Sequence, residues 1–361
     1  MPDNMQTKIL AFYLPQYHPI PENDEWWGKG FTEWTNVTKA VPLFRGHYQP
    51  NLPSELGFYD LRVPEVREAQ AGLARTYGVD GFIYWHYWFG NGKQLLERPF
   101  REVLESGTPD FPFCLAWANQ SWTGIWHGLK DHILIEQLYP GEEDYRAHFN
   151  HLLPAFRDPR YIKIGNKPLF VVFTPDCLPD AGVYTHLWNR LAVEAGFDGM
   201  YFIGIHQLYW NHRDVGFDEK TIHQPGQFVD VLEKNRPAGQ PSFLRTLFRQ
   251  AGPKVIDYRE LVGANDFARL EGQDFLPTVV PNWDNTPRSG NAGWVFRGST
   301  PELFRRHLES AVKFVQNRPS GARIVFLKSW NEWAEGNYVE PDRRWGRAYL
   351  EAIQSVKAGM K

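Results

Sequence analysis

The stretch GARIVFLKSWNEWAEGNYVEPD, Gly321 to Asp342, decides how this chain is read. Its run Ile324-Val325-Phe326-Leu327 is short, apolar and uninterrupted, as a buried strand is. Directly beyond it the composition turns to Ser329-Trp330-Asn331-Glu332-Trp333-Ala334-Glu335-Gly336-Asn337. Two carboxylates, Glu332 and Glu335, thus stand among indoles at the end of a strand. In a barrel or an open α/β sheet, that is the rim where active sites are built.

Upstream, the same alternation of apolar run and amphipathic segment recurs. Strands are predicted at Lys8 to Leu14, Phe82 to Trp88, Phe113 to Ala118, Pro168 to Phe173, Met200 to Ile205 and Leu276 to Val280, besides Ile324 to Leu327. A weaker strand end falls within Gly216 to Gly226. Helical spacing of apolar residues predicts helices over Pro64 to Tyr77, Lys93 to Glu105, Asp144 to Phe156, Val183 to Ala195, Pro301 to Val315 and Arg347 to Ala358. Shorter helical pieces are expected at Phe243 to Gln250 and Tyr258 to Glu271. Strand followed by helix through the whole chain is the signature of a (β/α)₈ TIM barrel, an α/β fold with its functional rim at the strand C-termini. An open doubly wound sheet is the rival. Against it, no Gly-x-Gly-x-x-Gly follows the first strand, and functional-looking residues emerge from nearly every strand. No linker or repeat divides the sequence, so one barrel domain over residues 1–361 is expected. Between Gln16 and Asp60 the chain has little periodicity, and a connection of that length is expected to lie functionally over one end of the barrel.

Composition narrows the partners. The chain has 361 residues, with 39 basic and 42 acidic side chains, so no charge excess points to nucleic acid or an anionic membrane. No apolar run is long enough to span a membrane, and the N-terminus does not read as a signal peptide. A cytoplasmic location is the default expectation, with a periplasmic or secreted one if a leader was removed. Cys114 and Cys177 both lie in apolar, strand-like surroundings and are expected to be buried free thiols away from the rim. Trp and Tyr are abundant, 15 and 16 residues, and rings with a polar handle suit a ligand cup as well as a core.

Collecting the residues at strand ends gives Tyr13, His86, Tyr87, Trp88, Trp117, Asn119, Trp122, His206, Gln207, Trp283, Asp284, Trp330, Asn331 and Trp333, joined by Asn282 and Trp126. Glu33 and Trp34 come from the first connection. Indole and phenol faces stack on the C–H faces of a pyranose, while Asn, Gln and His bond its hydroxyls, so an oligosaccharide or polysaccharide is the expected substrate. Glu332 and Glu335 are the candidate catalytic pair, because glycosidic cleavage needs one proton donor and one group assisting attack. The alternative for these carboxylates is a helix cap or an ion pair with Arg343 or Arg344. For Glu33, reaching a substrate hydroxyl and anchoring the loop weigh equally. Glu340 and Asp342 read as rim or structural carboxylates. His86, His206 and Asp284 lack metal-ligand spacing, and hydrogen bonding to sugar is preferred for them; no cofactor or metal is expected. No Gly-x-Ser-x-Gly marks a serine nucleophile.

The stretches AFYLPQYHPIPENDEWWGKGFTEWTNV, GFIYWHYWFGNGKQLLERP, FCLAWANQSW, PNWDNTPR and SWNEWAEGNYVEPD together resemble the WbsX-type, glycoside hydrolase family 99-like proteins. That group resembles in turn the family 99 endo-acting α-mannosidases and α-mannanases, which are (β/α)₈ barrels carrying Asn-Glu-Trp-x-Glu-Gly after a strand. The resemblance implies retaining cleavage of α-mannose- or α-rhamnose-type linkages through the sugar's own 2-hydroxyl. Glu332 would then be the general base on that hydroxyl, and Glu335 the general acid at the leaving oxygen. It also implies work on a bacterial surface polysaccharide. A glycosyltransferase or transglycosylase in polysaccharide or O-antigen assembly, and a non-catalytic glycan-binding barrel, are the alternatives.

Overall fold

A computed structural model describes residues 6–124, 133–234, 252–264, 267–270 and 273–360. Eight parallel strands form one curved sheet: β1 (Lys8–Tyr13), β2 (Gly81–His86), β3 (Phe113–Trp117), β4 (Lys167–Val172), β5 (Tyr201–Ile205), β6 (Glu219–Thr221), β7 (Thr278–Val279) and β8 (Ile324–Leu327). The pairing runs β7-β8-β1-β2-β3-β4-β5-β6. The two ends meet where Leu276 N–H donates to Lys220 O at 2.9 Å and Thr221 Oγ1 lies 2.7 Å from Thr278 Oγ1. The expected (β/α)₈ barrel is therefore the fold, with a shortened seventh strand.

Helices Pro64–Tyr77, Arg98–Ser106, Glu142–Arg157, Ala181–Glu194, Pro225–Lys234, Pro301–Val315 and Ala348–Gly359 surround the sheet. Local chemistry sets their ends. Pro64 occupies the first turn of its helix, where no amide donor is needed, and Gly78 leaves that helix at φ +87°. Thr300 accepts from Leu303 N–H at the start of Pro301–Val315. Departures from expectation are local. The helix expected from Lys93 begins at Arg98, because Asn91 and Leu96 take positive φ in the turn before it. Between β5 and β6 there is only the 3₁₀ turn His212–Val215. Tyr258–Ala264 is helical and Phe267–Leu270 is a 3₁₀ turn; Phe243 to Gln250 and Trp126 lie outside the described residues.

Alternation along the strands sorts the side chains. Phe12 packs on Trp85, His223 and Phe326 inside the barrel. Tyr13, Phe82 and Tyr84 pack on one another toward the helices. Cys114 is buried as expected, but Cys177 is exposed: it sits in the 3₁₀ turn Pro175–Cys177 just beyond β4, so the expectation of a buried strand position is corrected.

The connection after β1 is not irregular throughout. It forms two short helices, Pro21–Trp27 and Glu33–Lys39, before crossing the C-terminal face of the barrel. Asn331 pins its start, accepting from Leu14 N–H at 2.8 Å and donating to Leu14 O at 3.0 Å. Asp284 pins its middle, accepting from Gln49 Nε2 at 2.7 Å and lying 2.6 Å from His47 Nε2. Backbone bonds Ser54 N–H to Pro341 O and Arg343 N–H to Leu52 O hold its end.

Candidate active site

Beyond β8 the chain makes a tight reversal. Asn331–Glu332 pairs antiparallel with Asn337–Tyr338, around the 3₁₀ turn Trp333–Glu335. Gly336 closes the turn at φ +58°, with Asp284 packed so near that a Cβ would come within 2.8 Å of it. This geometry turns Glu332 and Glu335 to one side, where both are buried. Arg288 meets them from the segment after β7. Its Nη1 is 2.6 Å from Glu335 Oε1 and 3.6 Å from Glu332 Oε2, and its Nε donates to Glu33 Oε2 at 3.1 Å. Lys328, the inward-facing residue just after β8, reaches within 3.7 Å of Glu335 Oε2 and lies 2.7 Å from His223 Nε2.

Three carboxyls and two cations therefore share one enclosed space. A single proton on the carboxyls leaves the group neutral, which a buried cluster favours. Burial pushes Glu332 up to about 8, and the neighbouring charge of Glu335 adds to the rise. Burial opposes ionisation of Glu335 as well, but Arg288 and Lys328 outweigh it and hold that carboxyl below its usual range. The proton of the unliganded pair thus rests on Glu332. His223, held neutral by burial and by Lys328, accepts the lysine's hydrogen bond.

A cavity of about 390 Å³ opens onto this cluster. Glu332, Glu33 and Arg288 form its polar wall; Trp27, Phe31, Tyr87 and Trp122 supply rings, with Gln16, Asn36 and Gln120 among the polar groups. Trp122 packs edge-on against Trp26, Tyr87 and Phe89. Glu335 sits behind the wall, joined to it through Arg288. One charged, acid-rich wall facing aromatic surfaces can grip a sugar ring and move a proton at its edge.

Of the residues singled out in the sequence, Glu33, Tyr87, Trp122 and Glu332 meet at this cavity, with Glu335 adjacent. Others face elsewhere, for a reason of parity. Tyr13, His86 and Trp117 occupy the outward positions of their strands. Tyr13 donates to Gln70 Oε1 at 2.6 Å, and His86 Nε2 lies 2.9 Å from His148 Nε2, its pKa lowered to about 3 by burial. Trp117 donates to Trp88 O, and Trp88 donates to Asp144 Oδ2. Asn119 orders the turn at Thr174, and Asn331 holds Leu14. Trp34 and Trp333 pack together behind the site, donating to Tyr59 O and Glu340 Oε2. Trp330 packs on Phe82, and Trp283 lies under the Lys328 ammonium, 4.8 Å from its ring centre. Asp284 is a tether. His206 sits against Trp210, 3.8 Å from Asp176, and Gln207 lines a separate cleft with Tyr209 and Lys234. Arg343 and Arg344 are not the partners of the glutamates; Arg288 is. Glu340, pushed up to about 7 by burial, accepts from Tyr59, Gln70 and Trp333 and is structural.

Arg288, Lys328 and His223 were not singled out. Arg288 ends the motif PNWDNTPR, and Lys328 is a charge at the close of an apolar strand, so both carried a signal. His223 carried a weaker one, lying within the faint strand end Gly216 to Gly226. For a metal, the described residues bring His212, Glu219 and Asp274 together at the other end of β6. Arg318 and Arg213 already pair those carboxylates, which does not suit a cation.

Residues 9–353 match the family described as "Glycosyltransferase WbsX". Two curated relatives, each called "Uncharacterized protein WxcX", come from Xanthomonas campestris pv. campestris, strains ATCC 33913 and B100. Both are 38% identical over 358 residues, 99% of this chain and 50% of theirs. The chain thus spans about half the length of those relatives. Among solved structures, two of the GH99 endo-α-mannosidase from Bacteroides thetaiotaomicron align over 98% of this chain and 97% of theirs. Their TM-scores are 0.58 and 0.55, at 15% and 16% identity. A "Glycoside hydrolase-like protein" aligns over 99% of this chain and 95% of its own, with TM-score 0.54 and 15% identity. At these identities the likeness is one of fold. The family match and the relatives place the chain in the WbsX family. No helix among the described residues is long and apolar enough to cross a membrane.

Proposed function

We propose that this member of the WbsX family cleaves glycosidic bonds in a bacterial polysaccharide, acting on α-mannose- or α-rhamnose-type linkages with retention. The observation that carries the reading is the buried Glu332–Glu335 pair, bridged by Arg288 at the wall of an aromatic cavity. A pair that holds one proton between two carboxyls has what the reaction needs: one group to donate and one to accept. The solved GH99 endo-α-mannosidase, alike in fold, supports the choice of linkage.

In the order implied by the resemblance, Glu332 serves the 2-hydroxyl and Glu335 the leaving oxygen. The unliganded site holds its proton on the other member. Substrate would reverse this by displacing Arg288 from Glu335: loss of that contact raises Glu335, and its protonation removes the charge that raises Glu332. Arg288 is then a positioning residue for the proton.

The family's description as a glycosyltransferase supports a second reading, transfer from an activated sugar. One experiment separates the two. The chain is incubated with α-mannan and rhamnan oligosaccharides, with and without nucleotide-sugars. Release of new reducing ends without any nucleotide-sugar is expected. Turnover only when a nucleotide-sugar is present would overturn the hydrolase reading in favour of the transferase.

A further inference from the structure

On the other side of the turn that carries Glu335 lies a smaller cleft, of about 190 Å³, lined by two arginines and two aspartates. It is bounded by His47, Tyr48 and Asn51 of the first connection, by Val295–Ser299, and by the segment from Gly336 to Tyr349. The Arg344 guanidinium lines it and lies near two rings, 4.6 Å from the Tyr48 centroid and 5.0 Å from that of Trp345. Arg297 lines the same cleft. Neither arginine has a carboxylate partner among the described residues, and both are exposed.

The two acids that line the cleft balance this charge formally, but their oxygens are engaged by other donors. Asp342 is buried and accepts from Tyr338 Oη, Arg344 N–H and Trp345 N–H. Asp284 is buried and committed to His47, Gln49 and Thr286. A guanidinium held by cation–π contact keeps its donors free to meet an oxyanion in a planar fork. Asn282, whose Oδ1 has no hydrogen-bond partner, also lines the cleft. The size suits one ring, and the exposed Tyr48 face suits its C–H surface.

We infer that this cleft binds an acidic sugar residue, its carboxylate or phosphate held by Arg344 and Arg297. The inference rests on the glycan reading above. Asp284 N–H donates to Glu335 O at 2.6 Å, so the turn that carries Glu335 also walls this cleft.

The test is binding, read by calorimetry or NMR titration on the full chain with glucuronate, glucose 6-phosphate, glucose and inorganic phosphate. At least one acidic sugar binds at least ten-fold tighter than glucose and than inorganic phosphate, and the glucuronate and sugar-phosphate arms show which oxyanion is preferred. Arg344→Gln and Arg297→Gln each weaken that binding at least five-fold, and Arg344→Lys restores part of it. Glu335→Gln leaves it unchanged, so loss of cleavage and loss of this site are read separately. Equal binding of glucose, phosphate binding as tightly as the acidic sugars, no saturable binding, or binding indifferent to both arginine substitutions would overturn the inference.

Discussion

Arg288 Nη1 lies 2.6 Å from Glu335 Oε1 and a full ångström farther from Glu332. That asymmetry decides which carboxyl of the pair is ionised before substrate arrives, and it makes the pH dependence of cleavage predictable. On the proposed mechanism, kcat/KM, which reports the free enzyme, requires one proton on the pair. It falls above about pH 8 as that proton leaves, and on the acid side it persists below the usual glutamate range because Glu335 is held low. Arg288→Met removes a positive charge that lowers both carboxyls, so both limbs of the profile move to higher pH. A profile with unmoved limbs in Arg288→Met argues against control by this guanidinium.

The same residue carries a stability prediction. Arg288→Met leaves Glu33 and Glu335 buried without their shared cation, a loss of about 3–5 kcal/mol by denaturant unfolding near neutral pH. Arg288→Lys keeps the charge and loses less.

Glu332 itself should weaken the fold as pH rises. Its folded pKa of about 8 lies above the ordinary 4.5, so between these values the unfolded chain gives up a proton that the folded chain keeps. Folded stability then declines with pH across that window and levels off above it. Glu332→Gln has no such term. Its stability relative to the unsubstituted chain should climb from pH 5 to pH 8; a constant difference would show that Glu332 titrates normally.

Gly336→Ala is expected to cost about 1–3 kcal/mol, since the residue sits at φ +58° with Asp284 against its missing Cβ. Activity should fall with it, because the same turn orients Glu335. A variant as stable as the parent would show that the turn relaxes freely.

Trp122 presents one of the rings lining the cavity and packs edge-on against Tyr87. Trp122→Ala should raise KM about ten-fold with kcat nearly unchanged, the mark of binding lost equally from ground and transition states. A fall in kcat at constant KM would place Trp122 in the chemistry instead.

Much of this was legible in the sequence, and what was not has a physical reason. The runs Ile324–Leu327 and Pro301–Val315, and the helix Pro64–Tyr77, stand where their patterns put them, because period and end signals act locally. The strand ends were legible too, but which side each residue faces was not drawn from them. Counting alternate positions inward from Phe12, Trp85 and Phe326 separates Tyr87 and Lys328 from Tyr13, His86 and Trp117. Arg288 was hidden for another reason. Its partners are Glu33, far back in the first connection, and Glu335, beyond the next strand, and only closure of the barrel brings them together. The two helices of the first connection were missed because each is only two turns long.

The central claim is that Glu332 and Glu335 are the acid/base pair of a glycosidic cleavage. It is tested most directly by the rate at which the unsubstituted chain, Glu332→Gln and Glu335→Gln cleave an α-mannan or rhamnan oligosaccharide, each protein first shown to be folded. The account predicts cleavage by the unsubstituted chain and a loss of about 10²–10⁴-fold in kcat/KM in each variant. Full activity in both variants would contradict it.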